Sequence, residues 1–252
     1  MCVCKQGVGR RGRGVFGRRQ ALGALGVILL GCGGGDSKSG GSGGEGQGPA
    51  ASCSEISEEE AGDHPDKQTL IAQDTFYRSD ISEGKPGVPL TLELVLSYAD
   101  GACLPIAGAN VEVWHADAGG VYSEYEAGRT AGPAVSTYLR GVQTSDNAGR
   151  VTFRSVYPGW YASRAAHVHV RVYRDMTLRK TTQIGFPDAT SQAVYGASDR
   201  YEKGQNPTSN AADAVFGTSA GGSARQIAIV TGDNQRGYTA SLTLAISNYS
   251  GD

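Results

Sequence analysis

This 252-residue chain has no apolar run long enough to cross a bilayer as a helix. Its longest apolar stretch, Ala21 to Leu30, falls well short of the roughly 20 residues a spanning helix needs. Cysteine is scarce, at five residues, which excludes a disulfide-dense scaffold. Histidine is scarcer still, at four, so a metal site built on imidazole has few places to be. A surplus of positive charge is also missing. The 23 basic residues face 25 acidic ones, for a formal net charge of −2. That balance argues against a nucleic-acid partner, which requires a basic surface. There is no internal repeat and no His-Glu-x-x-His pattern for zinc hydrolysis.

What is present at the amino terminus reads as an export leader. Lys5, Arg10, Arg11, Arg13, Arg18 and Arg19 form a basic region without an acid, directly ahead of the apolar stretch. This is the layout of a secretory signal. Arg18-Arg19 is compatible with the twin-arginine route and equally with an ordinary Sec signal. Leu29-Leu30-Gly31-Cys32 resembles a bacterial lipoprotein box, in which the Cys32 thiol takes the lipid and becomes the new amino terminus. The other reading is a plain signal with an incidental cysteine. The expected division is residues 1–32 as signal peptide with lipobox cysteine, 33–52 as a flexible Gly/Ser-rich tether, and 53–252 as the folded domain. The expected location is outside the cytoplasm, anchored through Cys32 at the cell surface or in the periplasm. Cleavage would remove six of the 23 basic residues and none of the 25 acidic ones, leaving a net charge of −8. Cys53 and Cys103 then remain, as one disulfide or as two buried thiols. A disulfide across that span contributes about 4 kcal/mol on chain-entropy grounds. Glu58-Glu59-Glu60 reads as a solvated face.

The domain itself reads as all-β. Leu90, Leu92, Leu94 and Leu96 alternate with other residues, as do Val111 and Val113, Val151 and Phe153, and Leu242, Leu244 and Ile246. Turn signals separate these runs: Gly84-Lys85-Pro86-Gly87, Asp100-Gly101, Asp146-Asn147-Ala148-Gly149 and Asn234-Gln235-Arg236-Gly237. Short alternating strands with such punctuation predict a β-sandwich. No long stretch has helical period; Ser191 to Tyr195 and Asn210 to Phe216 are expected to hold at most short helices.

The most informative segment is Pro158-Gly159-Trp160-Tyr161-Ala162-Ser163-Arg164-Ala165-Ala166-His167-Val168-His169. Val168, Val170 and Val172 alternate with His167, His169 and Arg171, the period of a strand. Residues i and i+2 share a face, so both imidazoles point one way, about 7 Å apart at the backbone. Such a pair is either two polar residues on a wet face or half of a metal site. The wider pattern Pro-Gly-x-Tyr-x-x-Arg-x-x-His-x-His resembles the metal-site motif of intradiol ring-cleavage dioxygenases, the family of protocatechuate 3,4-dioxygenase and catechol 1,2-dioxygenase. The resemblance extends upstream to Ala109–Ser123, which includes Trp114 and Tyr122, and downstream to Thr181-Thr182-Gln183-Ile184-Gly185-Phe186-Pro187-Asp188. It covers roughly residues 77–247.

The resemblance implies the same β-sandwich and a ferric ion, Fe(III), held by Tyr122, Tyr161, His167 and His169. It implies catalytic roles for Tyr161, which would accept a substrate proton, and for Arg164, which would stabilise negative charge on the substrate. Gln183 matches the family's glutamine beside the ligands. The implied substrates are a catechol-type aromatic diol and O2, with the ring opened between its hydroxylated carbons to a cis,cis-muconate-type diacid. His115 is expected to be structural, His64 exposed, and Tyr125, Tyr138, Tyr157 and Trp160 to pack the fold or wall a pocket. One departure concerns Ala61-Gly62-Asp63-His64-Pro65-Asp66-Lys67-Gln68, where many relatives carry an aromatic Gly-Pro-Tyr-Tyr-like stretch. The chain also lacks the long helical amino-terminal region of dimeric catechol 1,2-dioxygenases, and its oligomeric state is not legible. The alternative function is a membrane-anchored binding or structural sandwich that has lost catalysis. A zinc hydrolase would need an open water site and usually a carboxylate base.

Overall fold

Leu90, Leu92, Leu94 and Leu96 line one face of strand β1, Pro89–Tyr98, and each is at most 2% exposed. The intervening Thr91, Glu93 and Val95 stay at least partly open. Burying each leucine stabilises the fold by roughly 2 kcal/mol relative to leaving it in water. These side chains meet Val111 and Val113 of β2, Asn110–Trp114, and Val168, Val170 and Val172 of β5, His167–Arg174, in one core.

The computed structural model describes residues 54–62, 69–100, 102–125, 136–161, 163–197, 199–217, 223–247 and 249. The proposed leader, the tether, Cys32, Cys53 and His64 lie outside them. The remaining strands are β3, Arg140–Thr144; β4, Arg150–Val156; β6, Thr177–Gly185; β7, Ile229–Asp233; and β8, Gly237–Ile246. They form two four-stranded sheets, ordered β4-β1-β8-β7 and β3-β2-β5-β6. The β-sandwich read from the alternation is therefore what forms. β1 pairs with β8 in parallel, and the other named pairs are antiparallel. Helix α1 spans Asp188–Ala197, where a short helix was expected, and a single 3-10 turn, Asn210–Ala212, falls in the second such region. Cys103 is disulfide-bonded.

The second sheet is covered on both faces. Its inner face carries the valines of the core. Its outer face is roofed by Leu70, Ile71 and Phe76, which pack on Val142 and Tyr173. At the other end of this face His167 and His169 are 3% and 0% exposed, covered by Trp114, Tyr122, Tyr161 and Gly62, and the wet-face alternative for this pair does not hold.

The acidic run Glu58-Glu59-Glu60 is not simply a solvated face. β6 is an edge strand, whose outward N–H and C=O groups need partners. Glu59 N donates to the Thr181 carbonyl at 2.8 Å, and Glu58 Oε1 accepts from Thr181 N at 3.0 Å. Lys180, whose side chain is 6% exposed, pairs with Glu55 at 2.8 Å and Glu58 at 3.1 Å. Residues 54–62 thus run along β6 and end with Gly62 against His169 and Gln183.

Leu94, fully buried at the centre of β1, gives a direct test of this core. Leu94→Ala should lower the unfolding free energy by about 3 kcal/mol in chemical denaturation, with the β-type circular dichroism retained. A loss under about 1 kcal/mol would place Leu94 outside a tightly packed centre.

Candidate metal centre

Four side chains from three segments meet above the outer face of the second sheet. His167 and His169 come from β5 and share a face because they are two residues apart. Tyr122 comes from the loop after β2, and Tyr161 from the segment between β4 and β5. Glycine lets these two loops touch. Gly159 lies so close to the backbone of Asp117 and Ala118 that a Cβ there would sit 2.4 Å from both carbonyl oxygens. Gly159 N in turn donates to the Asp117 carbonyl at 3.0 Å. A side chain at 159 would separate the tyrosine-bearing loops, which is the physical reason for the glycine two residues ahead of Tyr161.

The polar tips converge closely. Tyr122 Oη is 3.2 Å from His167 Nε2 and 3.1 Å from His169 Nε2. Tyr161 Oη is 3.2 Å from His167 Nε2, and the two Nε2 atoms are 3.2 Å apart. An ion about 2 Å from each donor would hold neighbouring donors roughly 2.8 Å apart at a right angle and 3.3 Å apart in a tetrahedron. The observed spacing lies within that range. His167 Nδ1 is 2.7 Å from the Ala165 carbonyl, which can only accept. Nδ1 therefore carries the proton and Nε2 offers its lone pair to the centre. Burial and the nearby Arg164 charge push the His167 pKa down to about 3, so this imidazole is neutral at working pH. Burial, then the neighbouring Tyr161, raise the Tyr122 phenol well above its ordinary value. Only a strongly charged cation would ionise it there. Among the described residues no group of three or more His, Cys, Asp or Glu could hold a metal, so this donor set depends on its tyrosines.

Each histidine is locked in orientation. Trp114 stands directly across from His169 in the β2–β5 register, and its ring stacks on the imidazole at 4.7 Å with a 6° tilt. Arg171 lies over the Trp114 ring at 5.0 Å. On the other side, Gln183 of β6 is the register partner of His169.

Arg164 sits beside this group. Its Nη1 is 3.4 Å from Tyr161 Oη, its Nη2 donates to Gln183 Oε1 at 2.5 Å, and its Nε donates to Asp213 Oδ2 at 2.9 Å. Asp213 also accepts from Ala165 N, Val215 N and Phe216 N. Burial alone would raise the Asp213 carboxyl, but the hydrogen bonds from Arg164 and Ala165 outweigh it and hold the group below its ordinary range.

A family model described as Dioxygenase matches residues 65–193, about half of the chain. The chain belongs to the intradiol ring-cleavage dioxygenase family. It is 30% identical over 129 residues to catechol 1,2-dioxygenase 1 of Acinetobacter lwoffii, a stretch that covers 44% of this chain and 40% of that relative. The matched stretch thus accounts for well under half of that relative's length. An intradiol ring-cleavage dioxygenase structure from Tetranychus urticae superposes with a TM-score of 0.67 at 26% identity, over 77% of this chain and 95% of that one. The dioxygenase domain of a dioxygenase carbohydrate-binding protein fusion from Streptomyces sp. SirexAA-E shares the fold, with a TM-score of 0.53 at 22% identity over 77% and 98% of the two chains.

In this family member the six residues singled out by motif stand together: Tyr122, Tyr161, His167, His169, Arg164 and Gln183. His115 stands apart from them, buried and hydrogen-bonded to the Ala116 carbonyl and Ser155 Oγ. Tyr157 packs in the core against Phe186, and Trp160 donates to the Gly204 carbonyl. Tyr138 packs on Leu139 and Val156 and lies under Lys85. Tyr125 packs beside Trp114 and Tyr122. Sequence reasoning missed Asp213, which is 1% exposed and 49 positions from its partner Arg164. No local spacing connects the two.

Asp213→Asn should destabilise the protein by about 3 kcal/mol at neutral pH. An amide can satisfy only part of a site built from four donors. The folded pKa is depressed, so the carboxylate's contribution is complete above the unfolded value near 4 and is lost as pH falls through the folded value. The stability gap between wild type and Asp213→Asn should therefore narrow below about pH 4, read by denaturation at several pH values. A gap that stays constant into the acid range would contradict the ionised pair.

Proposed function

We propose that the chain is a non-haem Fe(III)-dependent intradiol dioxygenase. It would open catechol-type aromatic rings with O2 between the hydroxyl-bearing carbons, giving cis,cis-muconate-type diacids. The observation that carries this proposal is the convergence of Tyr122 Oη, Tyr161 Oη, His167 Nε2 and His169 Nε2 at 3.1–3.2 Å. Two phenolates and two neutral imidazoles bring two negative charges, which favours a ferric over a ferrous ion. A ferric ion held there supplies Lewis acidity that ionises the phenols and the substrate hydroxyls near neutral pH. The protein's own residues do the rest. His167 keeps its lone pair on Nε2 through the Ala165 carbonyl. Tyr161, the more open of the two tyrosines, takes a substrate proton on Oη. Arg164 places a fixed guanidinium beside that oxygen and stabilises negative charge on the substrate. Asp213 and Gln183 hold the guanidinium at two other nitrogens, so it does not reorganise during the reaction.

Iron-loaded protein should show the strong visible absorption of tyrosinate bound to Fe(III). It should also consume oxygen with a panel of catechols, with the diacid product identified by mass and ultraviolet spectrum. Arg164→Ala should lower turnover by about a hundredfold while iron is retained, because the four ligands remain. Colourless protein holding stoichiometric zinc after expression with iron would sink the ferric assignment. Coloured protein that consumes no oxygen with any catechol would favour a binding module instead.

We also propose that the domain is exported and tethered to a membrane through lipid on Cys32. Support comes from Leu29-Leu30-Gly31-Cys32, the basic leader and the Gly/Ser-rich stretch that follows. Cys32→Ala should move the protein from the membrane fraction to the soluble one. Retention in the membrane with unchanged lipid labelling would rule the anchor out.

A further inference from the structure

The Tyr122 loop is held from behind by a cation that the proposed reaction does not use. Arg140 opens β3, opposite Trp114 in the register, and is 0% exposed. Its Nε donates to Ser123 Oγ at 2.9 Å, and its Nη2 donates to the Ser123 carbonyl at 3.0 Å. Ser123, the neighbour of Tyr122, is itself fully buried. The start of β3 is clamped in its turn. The Arg140 carbonyl accepts from Arg78 Nε at 3.0 Å and Nη2 at 2.6 Å, and Arg78 Nη2 also reaches the Thr137 carbonyl at 2.7 Å.

A residue needed only to fill this space would be apolar, since burying a guanidinium is costly unless its donors are used. What arginine adds is a rigid planar fork that fixes two acceptors at once. The turn it grips has reason to move. Glu124 adopts φ 68°, a left-handed conformation that a non-glycine residue holds only under constraint. Tyr122, two residues earlier, has to bring Oη within 3.2 Å of two imidazole nitrogens.

We propose that Arg140 is a positioning residue for Tyr122. Its fork locks the Ser123 backbone and hydroxyl, so that the phenol oxygen arrives at the donor cluster already oriented. The consequence at the metal rests on the assignment of Tyr122 as an iron ligand; the clamp itself does not.

The test uses the full chain and two substitutions, Arg140→Met and Ser123→Ala. Amide hydrogen exchange is followed at residues 121–125, with β1 and β8 as internal references. Arg140→Met should raise exchange at 121–125 about tenfold or more while the reference strands stay protected. Ser123→Ala, which removes one of the two acceptors and leaves β3 untouched, should give a smaller rise in the same direction. In iron-loaded Arg140→Met the tyrosinate band, normalised to bound iron, should shift or weaken. Unchanged exchange at 121–125 in both variants would overturn the clamp, as would a loss of protection spread evenly through both sheets. An unchanged band per bound iron would remove the link to the ligand. Colourless iron-loaded wild type would defeat the ferric assignment instead, and the exchange measurement would still decide on Arg140. If Arg140→Met fails to fold, Ser123→Ala decides alone.

Discussion

Pairing of β5 between β2 and β6 is the constraint on which the centre depends. In this register Val168, Val170 and Val172 enter the core while His167 and His169 face the other way. The same register sets Trp114 on one side of His169 and Gln183 on the other. A slip of one residue would drive both imidazoles into the leucine layer of β1 and turn the valines outward. The hydrophobic core therefore enforces which way the imidazoles face, because any odd-residue slip of β5 would expose its valines.

The strand supplies two donors, and the loops must bring the other two. The closeness of Gly159 to the Asp117 and Ala118 carbonyls and the grip of Arg140 on Ser123 act on different loops for the same end. Both are backbone constraints, which suits oxygens that must stand within a few tenths of an ångström of one position. Tyrosine has few rotatable bonds, so fixing the loop largely fixes the phenol.

Electrostatics follow from the roof over the sheet. Stacking Trp114 on His169 and setting Tyr122 and Tyr161 edge-on to the imidazoles removes water from the part of the outer face where the ionisable groups stand. Burial keeps the His167 imidazole neutral and makes an ionised Tyr122 unfavourable without a cation. It also forces each buried charge to find a partner, as Arg164 does with Asp213. The acidic segment along β6 obeys the same rule at the sheet edge, where Glu58 and Glu59 satisfy Thr181.

The sequence by itself determined the all-β class, since alternation has period two wherever a strand has one buried face. It also determined the shared direction of His167 and His169 and, through motif resemblance, the tyrosines, Arg164 and Gln183 that stand with them. These residues were legible because their relation is local, or is repeated in a known pattern. Other features were decided only in three dimensions. The outer face of the second sheet is buried because residues 70–76 return to cover Val142 and Tyr173 while Trp114, Tyr122 and Gly62 close over His169, which β5 alone cannot announce. Asp213 meets Arg164 across 49 positions, Arg140 meets Ser123 across 17, and Glu58 meets Thr181 across 123. Such contacts depend on how loops close over a finished sandwich. Chain closure costs little per added residue, so sequence separation carries almost no information about which partners meet.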